Sequence, residues 1–521
     1  MKFRILLFPQ YVRLMAVVLL LVPTAIRAQS AAKPNIIFIF SDDHAYQAIG
    51  AYGNKYAKTP NIDRLAREGA LLTNNVVTNS ICGPSRATLL TGKYSHKNGY
   101  KRNDNTKFNT NQTLFPELLQ QNGYQTAWIG KMHLNSLPKG FDYWNILPGQ
   151  GNYYNPDFIS QPNDTTRYNG YVSDVITQFS TDWLEKRDNA KPFFLIVGHK
   201  ATHREWLPDL QDLGAYDDVD FPLPVNFYDD YQGRAAAKDQ DMTIEKTMRL
   251  QQDLKVNVNY EKDWTYNRFS PEQQKVFKAY YDKISKEPEA KKLTGKALTE
   301  WKYQRYIKDY LSTANSLDRN IGKLLDYLDK TGLAKNTVVI YASDQGFYMG
   351  EHGWFDKRFI YEESLKTPFV IRYPGVVKPG SQVDQLVLNI DWAPTVLNIA
   401  GTKIPTDIQG KSFLPLLKTN TATAKTPWRK DAYYHYYEFP EPHHVYPHFG
   451  IRTERYKLAY FYGGADSWEL YDLKTDPSEM KNLYGQADTD KIVGDLKTRL
   501  KQSMVQYEDN EALEILAKAK K

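Results

Sequence analysis

Four short apolar runs, each ending abruptly in polar, chemically capable side chains, constrain this chain more than any other feature. "PNIIFIFSDDH" is apolar from Ile36 to Phe40 and then meets Asp42 and Asp43, and "YQTAWIGKMH" ends at Lys131 and His133. "PFFLIVGHKATH" ends at His199 and His203, and "NTVVIYASDQG" at Asp344 and Gln345. Unbroken apolar runs of this length read as parallel strands buried on both faces, and the stretches between them, such as "NIDRLAREGA", "QTLFPELLQQNG" and "YVSDVITQFSTDWLEKR", read as amphipathic helices. The expectation is an α/β fold with a large mixed, mainly parallel sheet sandwiched by helices. Ligands of open α/β sheets bind outside the carboxyl ends of the strands, so the four polar tips are expected along one edge.

Other segments read differently. From about Arg234 to Tyr310 the chain is rich in Lys, Glu, Gln and Ala, which predicts a helical insertion with a solvated charged face. After Ala424, Tyr-rich alternating runs ("DAYYHYYEF", "GIRTERYKLAYFY", "SWELYDLKTDP") and a final amphipathic helix predict a smaller C-terminal antiparallel sheet plus helix. The first residues carry positive charge, an apolar run from Leu14 to Val22 and small residues at Ala25 and Ala28, the pattern of a secretory signal cut near Ala28. That run is shorter than the ~20 residues of a membrane span, so no integral membrane segment is expected after cleavage, and the bacterial periplasm is the expected location. The resulting organisation is a signal peptide over 1–28, a catalytic domain over 29–424 and an α+β subdomain over 425–521. A net charge of +7 on 521 residues suits an anionic substrate and is too small for a nucleic-acid footprint.

The single cysteine, Cys82, lies in "NSICGPSRATLLTGKYSHKNG". A lone thiol forms no internal disulfide, so it is either a small buried hydrophobe or a reactive centre. Pro84 suits the first turn of a helix starting beside it, whose amides would favour an anion. Taken singly, the other polar tips have plain readings too: paired aspartates cap helices, and lone lysines and histidines are commonly solvated or structural.

Together they have a family resemblance. Cys82-Gly-Pro84-Ser85-Arg86 with Thr91-Gly92 and Gly99, preceded by "FSDDH" and followed in order by "GKMH", "SDQGFYMGEHGWFDKRFIYEES" and "ELYDLKTDPSEMKNL", resembles the formylglycine-dependent sulfatases of the alkaline phosphatase superfamily over nearly the whole mature chain. The resemblance implies an alkaline phosphatase-like fold and oxidation of Cys82 to formylglycine (3-oxoalanine) by a formylglycine-forming maturation enzyme. Hydrated, that aldehyde offers one hydroxyl to attack sulfur and a second to collapse and expel sulfate. It also implies a metal held by Asp42, Asp43, Asp344, Gln345 and residue 82. Oxygen-only donors suit Ca²⁺, with Mg²⁺ as the alternative, although the family more often has Asn or His where Gln345 stands. By motif position, Arg86 orients the hydroxyl, Lys131 and Lys357 contact sulfate oxygens, His133 is the base that helps release sulfate, and His203 is the acid for the departing alcohol. His199 falls out of register and is expected to be structural.

Substrate identity is expected outside that core. "GWFDKRF" sets Asp356 and Arg358 around Lys357, and "EFPEPHHVYPHFG" brings His443, His444 and His448. With "GQGNYYNPDF", these stretches resemble the N-acetylglucosamine-6-sulfatase branch. The resemblance implies a sulfated glycan substrate and exo-acting removal of 6-O-sulfate from N-acetylglucosamine or glucosamine, with Asp356 and Arg358 reading O3 and O4. The competing readings are another glycan or aryl sulfatase, for example on 2-O-sulfated uronic acid, a phosphodiester or phosphonate monoester hydrolase, and a catalytically silent glycan-binding protein.

Overall fold

The computed structural model describes residues 33–104, 106–418 and 427–519. The expected signal segment and the expected domain boundary at 424/425 lie outside the described residues. The four apolar runs form strands Asn35–Ser41, Gln125–Lys131, Phe193–Gly198 and Thr337–Ser343, which are parallel neighbours at the centre of a ten-stranded sheet. Their register is level at the carboxyl ends: Ser41 lies opposite Ser343, and Gly198 lies opposite both Phe40 and Gly130. Antiparallel pairs complete the sheet on both sides, at Phe369–Arg372 and at Asp157–Ser160 with Asp164–Arg167, so it is mixed but parallel at its heart.

Alternate side chains of Asn35–Ser41 enter opposite layers, as strand geometry requires. Ile36, Phe38 and Phe40 pack with Phe369 and Trp392, whereas Ile37 and Ile39 pack with residues such as Leu317 and Leu325 of helix Gly295–Lys330. Complete burial on both faces explains why these runs contain no polar alternation. The strand ends are also crowded. A Cβ at Gly130 would lie 2.0 Å from Gly198 O, and one at Gly198 would lie 2.4 Å from Lys131 O. Glycine at both positions lets two strands close up just where Lys131 and Lys200 emerge.

The 234–310 insertion differs from the expectation. Helices occupy Ala235–Asp239, Pro271–Ala290 and Gly295–Lys330, while the stretch between the first two is mostly turns, as its Asn- and Asp-rich "VNVNYEKDWTYN" favours. Its charges are not all solvated either: the buried Lys302 ammonium donates to the Glu245 and Met248 carbonyls, and Lys255 pairs with buried Asp309 at 2.9 Å.

The C-terminal sheet is an antiparallel meander of Asp431–Tyr436, His448–Thr453, Tyr456–Phe461 and Ser467–Asp472. Leu496, Leu500 and Met504 of helix Asp490–Gln506 share its apolar core. No helix among the described residues is long and apolar enough to cross a membrane.

Candidate active site

The level strand ends and one helix N-terminus build a fully buried charged floor. Successive residues of an extended strand face opposite ways, but Asp43 adopts a left-handed φ of 61° just past the strand, and both neighbouring carboxylates enter one cluster. Ligand oxygens of Asp42, Asp43 and Asp344 lie within 4.8 Å of one another, and Cys82 Sγ lies within the same distance of Asp42 and His203. Cys82 is the first residue of helix Cys82–Thr91. Arg86, one turn on and on the same helix face, donates Nε and a terminal nitrogen to Asp344 Oδ2 at 3.1 and 2.9 Å and another to Lys131 O at 3.0 Å. Phe40 lies under its guanidinium, 4.7 Å from ring centre to Cζ.

Each lysine is held by a carboxylate: Lys131 by Asp42, and Lys357 by Asp43 Oδ2 at 2.7 Å. Gln345 donates to Asp43 and reaches Cys82 Sγ at 3.9 Å. Two acceptors in this cluster, Asp42 Oδ1 and Gln345 Oε1, are buried without a hydrogen-bond partner among the described residues. Buried acceptors are normally satisfied, so three carboxylates and an amide with oxygens to spare fit a hard divalent cation.

Burial dominates the electrostatics. It pushes the Cys82 thiol up to about 12, with Asp43 and Asp344 adding to the shift against Lys357 and Arg86. As a plain thiol, Cys82 is therefore not an activated nucleophile. Burial raises Asp43 to about 6, opposed by Lys357. It depresses Lys131, His133 and His203 well below their ordinary ranges, and neighbouring cations push the same way. His203 Nδ1 donates to Arg204 O at 2.6 Å, which leaves Nε2 facing the centre, 3.9 Å from Asp43 Oδ2. His133 has a left-handed φ of 55° and lines a separate cleft of about 560 Å³. His199 is buried at the strand end and makes none of these contacts; its backbone N–H extends the ladder to Phe40 O at 2.8 Å.

Beside Lys357, Asp356 and Arg358 hold left-handed φ values of 80° and 102° and pair with each other. Strain of this kind on two bulky residues persists only where the surroundings impose it. Burial alone would raise the Asp356 carboxyl, but Arg358 and Lys357 hold it well below the usual range. His443 Nε2 meets Asp356 Oδ2 at 3.1 Å, while its Nδ1 is anchored by Asp241 O.

The other two histidines expected here are placed elsewhere. His444 packs on Phe439 and Tyr446. His448 is wholly buried on a sheet strand among Phe359, Tyr434, Tyr436 and Phe461, where burial depresses it to about 3. The strand direction decides this: in "VYPHFG" the histidine side chain turns into the sheet core.

Sequence reasoning missed three groups. Gln150 accepts from both lysines, through Oε1 from Lys131 and through its backbone O from Lys200 at 3.3 Å. Glu438 lies 3.5 Å from Arg358 Nε. Lys200 itself was visible as a cation at the exit of a buried strand.

Comparison with known proteins is in accord with this geometry. The family described as sulfatase matches residues 34–402, and that described as N-sulphoglucosamine sulphohydrolase, C-terminal, matches residues 350–506. An N-acetylglucosamine-6-O-sulfatase of Bacteroides thetaiotaomicron is 48% identical over 93% of this chain and 88% of its own length. The N-acetylglucosamine-6-sulfatase of Capra hircus is 26% identical, with 91% and 84% covered. A solved structure of a relative in complex with its substrate, D-glucosamine-2-N,6-O-disulfate, superposes with a TM-score of 0.89 at 47% identity and covers 92% of this chain and 99% of the other. The phosphonate monoester hydrolase of Agrobacterium radiobacter shares the fold, with a TM-score of 0.67 at 18% identity over 91% and 96% of the two chains.

Proposed function

The chain belongs to the sulfatase family and is a sulfuric ester hydrolase, and we propose that its substrate is the 6-O-sulfate of N-acetylglucosamine or glucosamine at the end of glycosaminoglycan or mucin fragments. Export to the periplasm, division into 29–424 and 425–521, and exo action belong to the same reading. The observation that carries the substrate is the Asp356, Arg358 and His443 network beside Lys357: a carboxylate, a guanidinium and an imidazole fit adjacent sugar hydroxyls, which an aryl sulfate lacks. The 48% identity to an enzyme named for this sulfate supports it.

Asp42, Asp43, Asp344 and Gln345 would hold a divalent cation, Ca²⁺ in this reading, which supplies positive charge to the sulfate and lowers the pKa of the attacking hydroxyl. Formylglycine at residue 82 supplies that hydroxyl together with a route for sulfate to leave by elimination. Arg86, fixed by Asp344 and the Lys131 carbonyl, orients residue 82. Lys131 and Lys357 supply fixed positive charge where charge develops on the sulfate oxygens. His203 is held by its Nδ1 bond with Nε2 inward, so that its imidazolium form, favoured by the negative charge of a bound sulfate, gives the Nε2 proton to the departing sugar oxygen. His133, just past the strand that carries Lys131, is the base for sulfate release in this reading.

The test is a set of rates on N-acetylglucosamine 6-sulfate, a 2-O-sulfated uronic acid, an aryl sulfate and a phosphonate monoester. The 6-sulfate is expected to lead, and Asp356→Ala to lower its kcat/KM by about 10²-fold or more while sparing much of any aryl sulfatase activity. Preference for another ester, or equal loss on both, overturns the assignment.

A further inference from the structure

On the His203 side of the floor lies a cavity of about 170 Å³, lined by Tyr153, Tyr154, Lys200, Glu205, Leu207 and Trp264 among others. It is far smaller than the cleft on the His133 side, which suits a substituent rather than a further sugar ring. It is also tied to the reaction centre: Tyr153 OH donates to His203 O, so the wall of the cavity and the acid are positioned together.

Its charges are arranged unusually. Lys200 is 5% exposed, yet its ammonium has no ion-pair partner among the described residues. It donates to Gln150 O at 3.3 Å and sits 4.8 Å from the Tyr153 ring centre. A buried ammonium is almost always paired, and this one has N–H donors to spare. Glu205, across the cavity, also lacks an ion-pair partner among the described residues; its only side-chain bond there is from Thr265 Oγ1 at 3.4 Å. The two arginines on the lining are already committed, Arg204 to Asp253 at 2.8 and 2.7 Å and Arg268 to Asp157 at 2.9 Å. Beyond these committed arginines, the cavity offers one ammonium and one carboxylate without ion-pair partners among the described residues, set against the walls of Tyr153, Leu207 and Trp264.

An anionic substituent such as an N-sulfo group would face the Glu205 carboxylate with Lys200 as the single uncommitted cation to answer it, since Arg204 and Arg268 already serve Asp253 and Asp157. A neutral amide with a small alkyl end matches the free ammonium, the free carboxylate and the apolar walls. We propose that this cavity receives the acetamido group of the leaving sugar, its carbonyl oxygen accepting from Lys200, its N–H donating to Glu205 and its methyl resting against Tyr153, Leu207 and Trp264. The assignment rests on the 6-O-sulfated glucosamine reading above and adds to it a choice among N-substituents. Lys200 and Glu205 are thereby specificity-determining residues for the leaving group.

The experiment compares kcat/KM for N-acetylglucosamine 6-sulfate, N-sulfoglucosamine 6-sulfate and glucose 6-sulfate in the wild type, Lys200→Met and Glu205→Ala. The wild type is expected to favour the N-acetyl substrate over each of the others by about tenfold or more, since a polar pocket rejects analogues that leave its groups unpaired. In both variants its advantage over glucose 6-sulfate should shrink to about threefold or less, chiefly through KM. A merely structural role would lower all substrates together and leave the ratio unmoved. That result, equal wild-type turnover of the three, or preference for the N-sulfo substrate overturns this assignment while the parent reading stands. Turnover of none of the three, with turnover of a different sulfated sugar, overturns both.

Discussion

Two buried charge networks in this molecule look alike at first and serve opposite ends. At the junction of the two sheets, Glu362 takes Arg452 at 3.0 Å, Lys457 at 3.0 Å and Lys366 at 3.1 Å, and Lys457 also takes Glu479 at 2.7 Å. On the floor, Arg86, Lys131 and Lys357 are set against Asp344, Asp42 and Asp43 at comparable distances. Charge density and burial do not separate the two. The difference is that the junction sets carboxylates and cations against one another in direct pairs, whereas the floor gathers three carboxylates whose oxygens lie within 4.8 Å of one another and adjoins the cavity lined by His203 and Lys200. The imidazoles repeat the lesson. Burial depresses both His203 and His448, and each has Nδ1 tied to a backbone carbonyl, but the Nε2 of His203 faces the centre whereas that of His448 is enclosed among aromatic rings.

The sharpest way to break that comparison is to strike each network and read turnover and stability separately. Cys82→Ala removes little volume and is expected to abolish desulfation, a loss on the order of 10⁴-fold or more by the scale of other nucleophile deletions, with the melting temperature nearly unchanged. Asp344→Ala should cost as much activity and also lower the melting temperature, because Arg86 then loses its nearer carboxylate and keeps only Asp42, at 3.7 Å, among the described residues. Chelation should lower both activity and melting temperature in the wild type, since a ligand bound only by the native state stabilises it. Full activity in metal-free protein would rule out the cation site.

The junction should respond the other way. Arg452→Ala leaves Glu362 with one opposing charge fewer in a buried setting, where breaking such a pair costs about 3–5 kcal/mol. The expected outcome is a lower denaturation midpoint with kcat within about twofold of wild type for the folded fraction. A large kcat loss at unchanged midpoint would show that the junction acts on the site.

The smallest effect sharpens the contrast further. Glu469 accepts from the Tyr361 and Tyr471 hydroxyls at 2.8 Å, yet burial dominates and raises it to about 7. Because its folded value lies above its unfolded value, the stability it contributes is fully present below about 4.5 and is lost as pH rises through about 7. Stability should therefore fall between pH 5 and 8, and Glu469→Gln should flatten the slope. An unchanged slope would assign it to other groups.

Much of the floor was legible in the sequence because two periodicities agree there: unbroken apolar strands, then polar residues where the strands end. Ile36–Phe40 with Asp42 and Asp43, and Val338–Ala342 with Asp344, state both strand and site within eleven residues. The cation at Lys357 was legible only through its motif, since it sits after a two-residue strand with no pattern of its own. The histidines of "EPHHVYPHFG" were not legible. Which of His443, His444 and His448 reaches Asp356 depends on where a loop becomes a strand, and a shift of one residue there reverses the face a side chain takes. The cavity lysine was visible as a cation at a strand exit, but its surroundings were not. Nothing in "HKATH" reveals that the ammonium lies opposite Glu205 without pairing to it, because the separation is set by the loop carrying Gln150 and Tyr153.

The central claim is that turnover belongs to the floor and starts from an oxidised residue 82. The direct measurement is the mass of the peptide carrying residue 82, taken on preparations whose specific activity is varied by co-expression with a formylglycine-forming enzyme. Activity is predicted to rise in proportion to the fraction of that peptide found at the lighter formylglycine mass. Full activity in protein carrying only unmodified Cys82 would contradict the account.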